Sequence, residues 1–333
     1  KSNFTSNMIA SIYASKNLKD VFKTKTGNVA DVNLLTIALM KAAKINANPL
    51  VLSTRSKGIA YMPSTDAFNN VIIGVELPGK ILLYDASSKF STKNIIPIHN
   101  LNWMGRLIRD DDTSKDILLE PSVESKYTVN ATINLQLDKG VSVTKIRKTY
   151  SNYEALTRRN RYEDWSEDKV VEQYESNYKA PITNYESANR NNIQELLEEN
   201  FTITKEASFD QIGNKLYLSP LSFFGWNENP FKEENRTYPI DFVYPNSNTY
   251  SINIAIPQGY EVDFLPKSKK FMTGSNSVEA KWIVGNDDKI IRVRFNIDYN
   301  KAFVEAKEYV DIKSVFEQIV KFSDEKIVLK KKS

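Results

Sequence analysis

Beyond residue 126 the sequence alternates apolar and polar side chains in one segment after another. Tyr127, Val129, Ala131, Ile133, Leu135 and Leu137 interleave with Thr128, Asn130, Thr132, Asn134 and Gln136. Asp138-Lys139-Gly140 then turns the chain into a second run through Val141 and Val143. The same parity returns through Tyr250, Ile252, Ile254 and Ile256, through Val278, Ala280 and Trp282, and through Ile291, Val293, Phe295, Ile297 and Tyr299. Successive strand side chains point to opposite faces, so each run buries one face and wets the other, as antiparallel sheets do. Many short runs of this kind, separated by Gly, Pro and Asn turns, predict an antiparallel β-sandwich over residues 116–333, subdivided near 225–240. Two helical patterns interrupt it. Tyr153 to Tyr178 aligns Val170, Val171, Tyr174 and Tyr178, with Ser166 as an N-cap, and Val310 to Ser323 turns Ile312, Val315, Ile319 and Phe322 inward. The Lys330-Lys331-Lys332 end reads as a solvated tail.

The first 115 residues follow a different rule. Met8, Ile9, Ile12 and Tyr13, then Leu18, Val21 and Phe22, suggest two short helices. A helix from about Ala30 to Lys44 is apolar on most sides, with Val32, Leu35 and Leu39 on one face and Leu34 and Ile37 on others. Such a helix must be enclosed nearly all round. Strands are expected near 49–54, 69–77 and 80–85, the last two joined by Leu77-Pro78-Gly79-Lys80. The run Asp110-Asp111-Asp112 reads as a solvated linker, because three adjacent acids lack the alternate spacing of a calcium loop.

Four stretches of this region resemble the core of the transglutaminase-like superfamily: Gly27-Asn28-Val29-Ala30-Asp31, Leu50-Val51-Leu52-Ser53-Thr54-Arg55, Phe68-Asn69-Asn70-Val71-Ile72, and Leu82-Leu83-Tyr84-Asp85-Ala86. Arg236-Thr237-Tyr238-Pro239-Ile240-Asp241-Phe242 and Ile254-Ala255-Ile256-Pro257-Gln258-Gly259-Tyr260 extend the resemblance to proteins of Gram-negative envelopes in which such a core lies between β-rich domains of unknown function. The resemblance implies an α+β fold, with a truncated papain-like core in 1–115 and the β domain in 116–333. It also implies an upstream β domain and a periplasmic or envelope location. The family's catalytic cysteine, histidine and aspartate correspond to Val29, Asn70 and Asp85. Only the aspartate is kept.

Residue chemistry makes the same point without any alignment. Thiol acyl transfer needs a thiolate, a base to generate it and a group to orient the base. The chain has no cysteine and a single histidine, His99, in a segment past the strand that would carry the base. One histidine and no cysteine also disfavour a zinc site, and no metal or other cofactor is expected. With 45 basic and 41 acidic residues, the charge gives no case for nucleic acid. No apolar run approaches the roughly 18 residues of a membrane span. Arg158, Arg159 and Arg161 beside Tyr162 and Trp165 suggest a basic patch, but Glu163, Asp164, Glu167 and Asp168 make an ordinary charged helix face the better reading.

The segment Phe223-Phe224-Gly225-Trp226-Asn227-Glu228-Asn229-Pro230-Phe231 is the candidate contact surface. Its Phe223, Phe224, Trp226 and Phe231 could anchor a partner or stack on a sugar, although plugging the boundary between the two domains is the plainer and preferred reading. The expected function is a non-catalytic binding or scaffold module with a protein, peptide or glycan partner of the envelope. The alternatives are a hydrolase with an unrecognised non-cysteine site and a purely structural assembly module.

Overall fold

The computed structural model describes residues 3–62, 64, 66–121 and 123–332. The chain is strand-rich α+β and divides into two compact units, Lys1–Val123 and Glu124–Ser333.

The first unit runs β1 (Thr5–Ser6), α1 (Leu18–Thr24), β2 (Thr26–Gly27), α2 (Val29–Ala42), β3 (Ala47–Leu52), β4 (Asn70–Leu77), β5 (Lys80–Tyr84), β6 (Met104–Ile108) and β7 (Ser114–Leu118). Its main sheet is antiparallel, in the order β5-β4-β3-β6-β7. Helix α2 starts where the sequence supplies a reciprocal cap. Asn28 Oδ1 accepts the Asp31 amide at 2.7 Å, and Asp31 Oδ2 accepts the Asn28 amide at 2.7 Å. Gly27 is required there, because a Cβ would stand 2.4 Å from Asp31 Cβ. Burial alone would raise the Asp31 pKa, but hydrogen bonds from the Ser15 hydroxyl and the Asn28, Ser15 and Lys16 amides outweigh it and lower the value. The first half of α2 is enclosed as expected, whereas Leu39 is 48% exposed, so the covering is not complete along its length.

Three expectations for this unit need correction. Residues 8–13 form no helix: Met8 lies in the left-handed region at φ 58°, and the Ile9 carbonyl instead accepts the Val29 amide at 3.2 Å. Asp110-Asp111-Asp112 is not a linker but the turn of the β6–β7 hairpin, where Asp111 Oδ1 accepts the Thr113 amide at 3.0 Å. Strand β7 pairs with β6, so this unit runs past residue 115.

The second unit runs β8 (Ser125–Gln136), β9 (Val141–Tyr150), α3 (Asn152–Arg161), α4 (Glu167–Tyr178), β10 (Ile182–Ala188), β11 (Leu197–Glu206), β12 (Asp210–Ile212) and β13 (Lys215–Leu218). It continues through β14 (Ile240–Asp241), β15 (Asn246–Ala255), β16 (Tyr260–Phe264), β17 (Lys269–Met272), β18 (Val278–Asn286), β19 (Ile290–Tyr299) and β20 (Phe303–Val304), and ends with α5 (Tyr309–Asp324) and β21 (Ile327–Lys331). An eight-stranded sheet, β10-β11-β9-β8-β15-β19-β18-β17, and a four-stranded sheet, β12-β13-β21-β16, contribute to one hydrophobic core with α4 and α5. Trp282 stacks on Phe322 at 4.4 Å within it.

Here too the structure departs from the pattern reading. The β8–β15 pair is parallel, against the antiparallel expectation. Ser166 caps a second helix, α4, so 153–178 is two helices broken at 162–166. In β9 the buried face carries Ser142, Thr144, Ile146, Lys148 and Tyr150, while Val141 and Val143 lie on the other face. Lys330 and Lys331 belong to β21, which is inserted between β13 and β16 and is not a tail.

Candidate functional site

Strand β4 begins at Asn70, α2 begins at Val29, and Asp85 follows directly on β5. None of the three is more than 2% exposed. Asn33, one helical turn or about 6 Å along the axis beyond Val29 and on the same face, links them. Its Nδ2 donates to the Val71 carbonyl and to Asp85 Oδ1, both at 3.0 Å, and its Oδ1 accepts the Ala86 amide at 2.7 Å. Asn70 does not reach Asp85 directly. Its Nδ2 donates to Asn100 Oδ1 at 2.7 Å, and Asn100 Nδ2 donates to Asp85 Oδ2 at 3.1 Å.

The carboxylate sets the direction of this chain of amides. Asp85 can only accept, so Asn100 must present its NH2 to Asp85 and its oxygen to Asn70. Asn70 must then turn its own NH2 outward to Asn100. Its Oδ1 is left buried without a partner. The remaining capacity of Asp85 is filled by the Ser87 amide at 2.9 Å and the Ser87 hydroxyl at 2.5 Å. Amides hydrogen-bond but take up no proton near neutral pH, so the chain from Asn70 to Asp85 can hold geometry and cannot relay a proton.

His99 stands beside Asn100 in the turn Ile98–Asn100. Its backbone carbonyl accepts the Arg55 amide at 2.9 Å. Although the side chain is exposed, burial by its surroundings lowers its pKa, with the Asp85 charge acting in the opposite direction. Asn33 and Asn100, which organise the cluster, carried no signal in the sequence. A buried asparagine is written like a surface one until its partners are known.

The aromatic segment belongs to the second unit. Phe223 and Phe224 pack on each other at 4.6 Å, and Phe223 also meets Tyr178 edge-on at 5.4 Å. Trp226 lies 5.0 Å from Phe316, and Phe231 lies 4.9 Å from Phe316 and 5.8 Å from Tyr309. The Trp226 amide donates to Ser323 Oγ at 3.0 Å, fastening the segment to α5. All four rings are partly buried against the core of that unit.

A polar cluster that the sequence reading missed lies under α3 and α4. Lys148 on β9 is paired in register with Glu199 on β11, and both are buried. Four rings surround the Lys148 Nζ: Tyr174 at 4.4 Å, Tyr178 at 5.3 Å, Phe201 at 5.4 Å and Tyr127 at 5.9 Å. Glu199 accepts Arg158 Nη2 at 2.6 Å and Nε at 3.0 Å, and the hydroxyls of Tyr150, Tyr174 and Tyr185 at 2.7–2.8 Å. Desolvation pushes Lys148 down to about 7, opposed by the Glu199 charge and assisted by Arg158. The charged-face reading of Arg158 and Arg159 is therefore corrected. Arg158 is this carboxylate's partner, and Arg159, 4% exposed, donates to the carbonyls of Asn189, Asn192 and Glu195. Among the described residues no group of three or more His, Asp or Glu side chains is placed to hold a metal ion, and no helix is long and apolar enough to cross a membrane.

Residues 214–329, within the second unit, match a family described as a domain of unknown function, DUF3858. No match is found among curated proteins. Among solved structures, the chain is similar to a protein of Parabacteroides distasonis described as a "putative protease", with a TM-score of 0.53 at 10% identity. The similarity covers 99% of this chain and 49% of that one, so the chain spans about half the length of that protein. At this identity the likeness is one of fold.

Proposed function

We propose that this chain is a transglutaminase-like protein of the Gram-negative envelope that performs no acyl transfer and acts as a binding or scaffold module. The observation that carries this reading is the Val29–Asn70–Asp85 neighbourhood. A valine and an amide stand where the resemblance places a thiol and an imidazole, and the carboxylate is saturated by amide and hydroxyl donors. Because the three positions are closed to solvent, the reading favours a structural role for this part of a papain-like core over ligand capture there. The similarity to a protein described as a "putative protease" motivates a second reading, a hydrolase with a non-cysteine site.

Amine-incorporation and peptidase assays separate the two. Product from the natural chain and from Val29→Cys is expected to stay at the level of the protein-free blank. A thiol at the buried position 29 is held protonated by desolvation, and with Asn70 standing in place of the imidazole it has no base to take its proton. Val29→Cys/Asn70→His adds the base, with Asp85 nearby to orient it, and is the variant in which activity could emerge. Turnover by the natural chain would overturn the non-catalytic reading.

The two-domain reading is tested by limited proteolysis. Cleavage is expected between 119 and 124, after the last strand of the first unit and before the first strand of the second. Cutting inside the paired 104–118 hairpin would argue against it. Envelope location is tested by fractionation of the producing cell; recovery in the cytosol would remove it.

A further inference from the structure

The second unit contains a pocket of about 210 Å³ between the end of β11, β13, the turn at Ser222 and the residue before β21. We propose that this pocket binds a single acidic monosaccharide unit of the uronic-acid type. The inference is independent of residues 29, 70 and 85.

Its wall combines three kinds of group. Phe209, Tyr217 and Phe223 bring aromatic rings, which suit the apolar face of a pyranose. Lys205 and Lys326 bring two ammonium groups for a carboxylate, and Lys205 is held in place by donating to the Tyr178 carbonyl at 2.8 Å. Asp210 also lines the pocket. It would repel a bare anion, but a carboxylate is a good acceptor for sugar hydroxyls, so its presence favours a hydroxylated acid over a simple one. Ser208 also lines the pocket, but its Oγ is closed off from solvent, so recognition falls to the rings, the two lysines and Asp210.

Size and backbone point the same way. The volume is below the roughly 300 Å³ at which pockets for drug-sized ligands begin, so one sugar ring is the scale of occupant. Two non-glycine residues on the wall, Ala207 at φ 48° and Ser222 at φ 51°, adopt the left-handed region. Both turns that shape the pocket are thus held in uncommon conformations, as binding sites often are. Ser222 is anchored by its amide to the Ser219 carbonyl at 3.0 Å, and Ser219 Oγ donates to the Ser323 carbonyl at 2.8 Å.

Calorimetric titration of the full chain with D-glucuronate tests the assignment, with D-glucose and benzoate as controls. Glucuronate is expected to bind saturably, and each control at least about tenfold more weakly. Lys326→Gln, at an exposed position where folding is not at stake, is expected to weaken glucuronate at least about tenfold, and Phe209→Ala to do likewise. The methyl glycoside distinguishes a chain-terminal sugar from a free one: retained affinity assigns the former, lost affinity the latter. Absence of saturation at about 10 mM glucuronate, glucose or benzoate binding equally well, or Lys326→Gln leaving the affinity unchanged would each overturn the proposal.

Discussion

Glu199→Gln is expected to lower the stability of the second unit by about 3–5 kcal/mol, which for a unit of this size is a fall in Tm of about 10 °C or more. The carboxylate accepts five hydrogen bonds, two from Arg158 and one each from Tyr150, Tyr174 and Tyr185. An amide would bring an NH2 group toward donors, and Arg158 would be left buried without its counter-charge. The pH dependence carries the same signature. Burial alone would raise the Glu199 pKa, but the Arg158 charge and hydrogen bonds from Arg158, Tyr174 and Tyr185 outweigh it and lower the net value. A carboxylate lowered on folding stabilises above its unfolded pKa of about 4.5, and that contribution is lost as pH falls through the folded value. The natural chain should therefore lose stability in acid below about pH 4.5 in a way that Glu199→Gln does not. The adjacent Glu198→Gln is the control: its Arg147 partner at 2.8 Å is largely exposed, and a loss under about 1 kcal/mol is expected. Equal losses for the two variants in denaturant unfolding would refute the network's importance.

Why this network was not legible in the sequence is instructive. Strand positions were readable because period-two alternation depends only on local order, and α5 was readable because Ile312, Val315, Ile319 and Phe322 recur at helical spacing. The parity that buries Ile146 and Tyr150 also buries Lys148, and the parity that buries Leu197 and Phe201 also buries Glu199. The pattern thus marked two charges as inward-facing, but an apolar scan passes over charged residues, and their pairing depends on the β9–β11 register. Arg158 was misread for a related reason. Its neighbours Arg161, Glu163 and Asp164 are exposed, and composition averages over a helix whose two faces meet different surroundings. In the first unit Gly27 and Asp31 stood out as a motif, and the structure gives them a local cause in the cap of α2. Asn33 and Asn100 had no such mark, because their role exists only through partners 15 to 53 positions away.

Lys148→Met is expected to act on the same cluster with the opposite sign. The methionine matches the lysine stem in length, and the rings around Lys148 Nζ offer an apolar surface for its thioether. Removing the ammonium does not orphan Glu199, which keeps Arg158 and three tyrosine hydroxyls, so the penalty of Glu199→Gln has no counterpart here. The linkage fixes the window. Desolvation lowers the folded pKa of Lys148 to about 7 from an ordinary value of 10.5. Between these values the unfolded chain binds the proton and the folded chain does not, so stability rises with pH across that interval. Below about pH 7 both states carry the charge, and the folded state bears the full cost of burying it. Lys148→Met is accordingly expected to be more stable than the natural chain by about 1–4 kcal/mol at pH 6 and to lose that advantage by about pH 10. Denaturant unfolding at pH 6, 8 and 10 measures both chains. A natural chain whose stability is flat over this range, with the variant no more stable at pH 6, would mean that the cage solvates the ammonium as well as water does. An advantage that fades with pH would instead identify Lys148 as a charge held in the sheet at a standing energetic cost, beside the carboxylate on which the same sheet depends.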